Sequence, residues 1–125
     1  GKPKWVLSKV EEAVRAKPDS TIAVLGLAFK ANIDDLRESP SLKIAEDIAS
    51  NFGDSRVLAV EPNVAELPSS LSEFENVELA EAEKAVESAD VIVLLVDHNE
   101  FVDLWGPEMT NKTVIDTKGL WLRQS

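Results

Sequence analysis

The chain has 125 residues, 44% of them hydrophobic and 29% charged, with no Cys, one His and a net charge of −10. That length holds one core of ordinary size, and the composition is that of a globular domain rather than a disordered or membrane-embedded one. Without Cys the chain carries no disulfide, thiolate metal site or cysteine nucleophile, and without a basic stripe it offers nucleic-acid phosphates nothing to displace their counterions.

In chain order, residues 4–17 read as an amphipathic helix with Val6, Leu7, Val10 and Val14 on one face and Pro18 ending it. The run TIAVLGLAF (21–29) has the continuous apolar character of a strand buried on both faces. Ser39-Pro40 opens a second helix, with Ser as N-cap and Pro at the first helical position. Its inner face is Leu42, Ala45, Ile48, Ala49 and Phe52, and Gly53 is expected as a left-handed cap. RVLAVE (56–61) is the next strand, 61–76 a loop, 78–89 a short helix, VIVLLVD (91–97) the strongest strand and TVID (113–116) the last. Residues 77–79 offer a further short edge strand.

Alternating strands and helices imply right-handed crossovers and a parallel sheet covered on both sides. The expected fold is therefore α/β: a Rossmann-like three-layer domain with a mostly parallel sheet of about five strands in the order 3-2-1-4-5. No apolar run reaches the roughly 20 residues of a membrane span, and no secretory signal pattern opens the chain, which makes the cytoplasm the default expectation.

In such a sheet ligands bind beyond the carboxyl ends of the strands, where the strand order reverses. Residues 26–39, 97–101 and 116–119 are expected to face that crevice. The first turn holds only Gly26 and lacks G-x-G-x-x-G, so this chain is not expected to bind NAD, and the acid Glu61 at the end of the second strand does not change that. Three cations, Lys30, Arg37 and Lys118, converge on the crevice instead, with a helix N-terminus beside Arg37, an arrangement suited to an anion. The plainer alternative is ordinary surface pairing with Asp34, Asp35 and Glu38. Phe29 reads either as the last core residue of its strand or as a wall for a base. His98, the single His, reads as a loop residue hydrogen-bonded to backbone or as a polar contact to a ligand.

Four segments, GLAFKANIDDLRESPSLKIAEDI (26–48), VEPN (60–63), ADVIVLLVDHNEF (89–101) and VIDTKGLW (114–121), resemble the C-terminal domain of the UDP-glucose/GDP-mannose dehydrogenase family. The likeness runs over about residues 4–121, and the VDH tripeptide and the DTKG-x-W ending resemble the branch that acts on UDP-N-acetyl-D-mannosamine. The resemblance implies an enzyme that oxidises the C6 hydroxyl of a nucleotide sugar to a carboxylate with NAD+ and a covalent cysteine intermediate. The NAD and the nucleophile then belong to domains outside these 125 residues, and this chain alone is expected to be inactive. It implies that residues 1–125 form a single UDP-sugar-binding domain with residues 1–17 as a linking helix. Carried across by position, Phe29 and Lys30 match the family's nucleotide-contacting pair, Lys118 a basic residue at the phosphate or sugar end, and Arg37 an Arg of partly structural role. The implied partners are a UDP-sugar, the N-terminal and central domains of the same enzyme, and further copies of the full-length chain, with no nucleic acid and no membrane.

Other readings stay open at this level. The sugar could be that of UDP-glucose, UDP-N-acetylglucosamine or a GDP-sugar. Asp34, Asp35, Asp97 and Lys118 superficially supply the acids and Lys of a phosphoryl-accepting receiver module, though the acid pair falls too far beyond the first strand. Trp105 and Trp121 could anchor a partner, although both are expected to pack at the sheet edge or against the missing domains.

Overall fold

The computed structural model describes residues 2–28, 31, 32, 36, 37, 39–62 and 64–121. Helix α1 (Lys2–Ala16) leads to strand β1 (Ile22–Leu25), then α2 (Pro40–Asn51), β2 (Val57–Val60), the single turn α3 (Ser69–Ser72) and β3 (Val77–Leu79). Helix α4 (Ala82–Ser88), β4 (Val91–Leu94), two 3-10 segments at Asn99–Leu104 and Pro107–Asn111, and β5 (Thr113–Asp116) complete the order. The five strands are all parallel in the order β3-β2-β1-β4-β5, the arrangement that the alternating pattern predicts.

The continuous apolar run of β1 divides between two cores. Ile22 and Val24 face α1 and α2, packing with Val6, Val10, Ile44 and Ile48, whereas Ala23 and Leu25 face α4 and the 3-10 segments with Val86, Phe101 and Trp121. Successive strand side chains point to opposite faces, so a strand covered on both sides needs apolar residues at every position.

Ser39 caps α2 as its sequence predicts, its Oγ accepting the Leu42 N–H at 3.2 Å with Pro40 in the first turn. Three expectations need correction. Gly53 is not a left-handed cap; α2 closes through the Phe52 N–H donating to the Ile48 carbonyl and the Ser55 N–H to the Phe52 carbonyl, which requires no positive φ. The helix placed at 78–89 begins only at Ala82, because residues 77–79 pair with β2 as a strand. The segment 61–76 is not wholly loop, since α3 drops Leu71 into the core. Within α2 the buried face is Ile44, Ala45, Ile48 and Ala49, so Ile44 joins the expected set while Leu42 and Phe52 are only partly covered.

Candidate functional site: the crevice at the strand ends

Register brings the site together. Leu25 pairs with Val60 on one side and Leu94 on the other, and Leu94 pairs with Asp116, so β1, β2, β4 and β5 end in one row. Whatever follows these four residues faces the same crevice, at the point where the chain order reverses between β1 and β4.

Gly26 makes the close approach possible. At φ +99 it lies in the left-handed region, and a Cβ there would stand 2.6 Å from the Val96 Cβ and 2.9 Å from the Val96 nitrogen. Beyond β4 the chain folds over this glycine: the N–H groups of both Leu95 and Val96 donate to the Leu25 carbonyl, at 2.9 and 3.4 Å, and β4 ends at Leu94, earlier than VIVLLVD suggests.

Glu61 and His98 form the buried centre of the crevice. The Glu61 Oε1 accepts the backbone N–H groups of Leu27 at 2.9 Å and Ala28 at 3.1 Å and lies 3.0 Å from the His98 Nε2. Both side chains are fully buried. The His98 Nδ1 accepts the Asn32 N–H at 2.8 Å, and the Asn32 Oδ1 accepts the Asn99 N–H at 2.9 Å. Phe101 meets the imidazole edge-on, with ring centroids 5.3 Å apart. A ligand contact by His98 would therefore have to displace a protein partner from one of its nitrogens.

The DTKGLW motif is a self-capped turn. The Asp116 carboxylate accepts the N–H groups of Lys118 at 3.1 Å, Leu120 at 3.2 Å and Trp121 at 2.9 Å. Thr117 donates from Oγ1 to the Leu94 carbonyl at 2.7 Å, and Gly119 takes φ +67. Leu120 and Trp121 are buried, the Trp121 indole N–H donating to the Phe101 carbonyl at 2.9 Å, while Lys118 is left exposed at the apex. Arg37 is also exposed, in the turn that the Ser39 N–H closes on the Leu36 carbonyl just ahead of α2. Phe29 and Lys30 lie outside the described residues, as do Asp34, Asp35 and Glu38.

Sequence reasoning missed the Glu61–His98 pair and the capping role of Asp116. The signals were present, an acid directly after β2 and the single His shortly beyond β4, but only the parallel order brings those ends together. A cleft of about 650 Å³ adjoins the crevice at the carboxyl ends of β2 and β3, sharing Glu61 and carrying Glu81, Glu83 and Glu100 in its lining. On this flank the carboxylates repel a diphosphate. Nor do the residues present fit NAD: the first turn has one glycine, and the acid that could meet a ribose is buried beneath backbone N–H groups. Among the described residues no group of three His, Asp or Glu is placed to hold a metal ion.

A doubly wound parallel sheet with its polar residues gathered at the switch point defines a Rossmann-like, ligand-binding α/β domain. Residues 23–123 match the model of the UDP-glucose/GDP-mannose dehydrogenase family, UDP binding domain, and the chain belongs to that family. It is 47% identical over 121 residues to the NDP-N-acetyl-D-galactosaminuronic acid dehydrogenase of Ralstonia solanacearum, covering 96% of this chain and 27% of that protein. It is 42% identical over 128 residues to the UDP-N-acetyl-D-mannosamine dehydrogenase of Escherichia coli K12, covering 96% of this chain and 30% of that protein. The solved UDP-N-acetyl-mannosamine dehydrogenase Cap5O of Staphylococcus aureus superposes with a TM-score of 0.69 at 28% identity, over 94% of this chain and 27% of that one. The chain thus spans less than a third of the length of these relatives. The family assignment replaces the receiver-module reading of Asp97 and Lys118.

Proposed function

We propose that this chain is the nucleotide-sugar-binding domain of an NAD-dependent UDP-N-acetyl-D-mannosamine 6-dehydrogenase, an enzyme of the cytoplasm. The observation that carries the reading is the match, over 96% of this chain, to relatives named for the oxidation of N-acetylated sugars on a nucleoside diphosphate. The uridine diphosphate sits in the crevice, with Lys118 and Arg37 meeting its negative charge and Phe29 and Lys30 contacting the nucleotide. His98 serves the same site from below by shaping its floor. The domain performs no chemistry on the sugar. By holding the remote diphosphate it orients C6 toward a nicotinamide and a nucleophilic Cys supplied by other domains of the full-length enzyme, so recognition becomes positioning. Lys118 acts as a point charge rather than a bidentate fork, which suits an anion whose orientation is fixed by other contacts. Residues 1–17 link this domain to the rest of the subunit.

Calorimetry of the chain with UDP, GDP and NAD+ tests the reading. UDP is expected to bind and NAD+ to give no heat, with Lys30→Ala weakening UDP by at least about tenfold, the scale of one charge-assisted hydrogen bond. Preference for GDP, or unchanged UDP affinity in Lys30→Ala, would overturn it.

A further inference from the structure

Around Phe29 and Lys30, the chain is tied down on both sides, and both ties end on the same two side chains. Ahead of the pair, the N–H groups of Leu27 and Ala28 donate to the Glu61 Oε1. Behind it, the N–H of Asn32 donates to the His98 Nδ1. That last bond fixes the tautomer: a nitrogen that accepts carries the lone pair, so the hydrogen of the neutral ring sits on Nε2 and is donated to Glu61 at 3.0 Å. His98 and Glu61 thus join three strand ends and one connection into a single relay, and the left-handed Asn32, at φ +62, is held again by its own side chain on the Asn99 N–H.

We infer that His98 and Glu61 are positioning residues for the nucleotide. They fix the backbone at 27–28 and at 32, which flank Phe29 and Lys30 in the sequence, and through that backbone they act on nucleotide binding. The inference rests on the reading of those two residues as nucleotide contacts. Burial requires an acceptor for the Leu27 and Ala28 N–H groups, but it does not require that the same pair also reach Asn32. The bonds run to backbone N–H groups of this one span, and these are the groups a positioning device has to hold.

Two substitutions at one position separate positioning from mere packing. In His98→Asn the amide oxygen stands near the Nδ1 position and keeps the Asn32 tie while losing Glu61. In His98→Gln the amide reaches the Nε2 position and keeps Glu61 while leaving the Asn32 N–H unpaired. Two measurements need no ligand: the imidazole tautomer of the unaltered chain by nitrogen-15 NMR, and hydrogen exchange of individual amides. The expected results are the Nε2–H tautomer, fast exchange at Asn32 in His98→Gln, and slow exchange there in His98→Asn. UDP affinity is then expected to fall about five- to tenfold in His98→Gln, the scale of one lost hydrogen bond, and to hold within about threefold in His98→Asn and in Glu61→Gln, which retains an oxygen for Leu27 and Ala28. A purely structural role would lower the stability of both His98 variants and leave UDP affinity unchanged in each; that outcome, or an Nδ1–H tautomer in the unaltered chain, overturns the inference. Failure of the unaltered chain to bind UDP overturns the nucleotide reading, while the tautomer, read on the unaltered chain, tests the His98 ties by itself even where a variant does not fold.

Discussion

At each end of the sheet a carboxylate accepts backbone N–H groups from the segment flanking β1, and the two ends differ almost entirely in burial. At the amino end, the Asp90 Oδ2 accepts the Thr21 N–H at 2.9 Å while its other oxygen meets the Lys17 ammonium, with both side chains in contact with water. At the carboxyl end, Glu61 accepts two backbone N–H groups and pairs with His98, with both side chains fully buried. The exposed carboxylate staples the entry to β1 and can exchange its partners for solvent. The buried one has no such alternative, so every group it satisfies depends on it. The end of the sheet that meets a ligand is the end whose polar groups are not free to rearrange.

Glu61→Ala should produce the largest effect, because it strands the N–H groups of Leu27 and Ala28 and the His98 Nε2–H in a dry site. A loss of about 3–5 kcal/mol is expected in urea unfolding, since each stranded buried donor costs roughly 1–3 kcal/mol, and a loss under 1 kcal/mol would show that water reaches this site. Gly26→Ala attacks the same end through space rather than charge. Its Cβ would overlap Val96, so about 2–3 kcal/mol should be lost, read from the same unfolding curves, with little change at the amino end. Asp90→Asn should cost the least, below about 1 kcal/mol, since the pair is exposed and Asn retains an acceptor for Thr21. Its pH dependence sharpens the contrast. The hydrogen bond from Lys17, and then that from the Thr21 N–H, holds the Asp90 carboxyl below its ordinary 3.8. A depressed value in the fold means that the contribution is fully present above 3.8 and disappears as pH falls through the folded-state value. The stability gap between the native chain and Asp90→Asn should therefore be widest near neutral pH and close in strong acid, as thermal melts at several pH values would reveal.

The architecture was largely legible because it is written in local patterns. Fully apolar runs separated by amphipathic ones define a parallel sheet, and Ser39-Pro40 marks a helix start through groups only a few residues apart. Gly53 misled because a glycine after a helix signals a left-handed cap only where the terminal carbonyls lack another arrangement, and here Phe52 and Ser55 supply one. The crevice was legible as a location and less so as a set of bonds. Asp97-His98-Asn99 could be placed at a strand end, yet the partners of His98 lie 37 and 66 residues away, and no spacing rule connects them. Asp116 shows the opposite case: its partners are two to five residues on, and a turn motif of Asp followed by Gly was readable as a cap.

The packing of Trp121 also has an optical consequence. The chain contains three Trp and no Tyr. Trp121 and Trp105 stack with centroids 6.1 Å apart, Trp5 borders the same groove beside β5, and Phe101 stands between Trp121 and His98. All the near-ultraviolet emission of the molecule thus originates around one edge strand, directly beneath the turn that carries Lys118. The protein contains its own fluorophore at the rim of the crevice, so the binding of an anion there can be tested with no label attached.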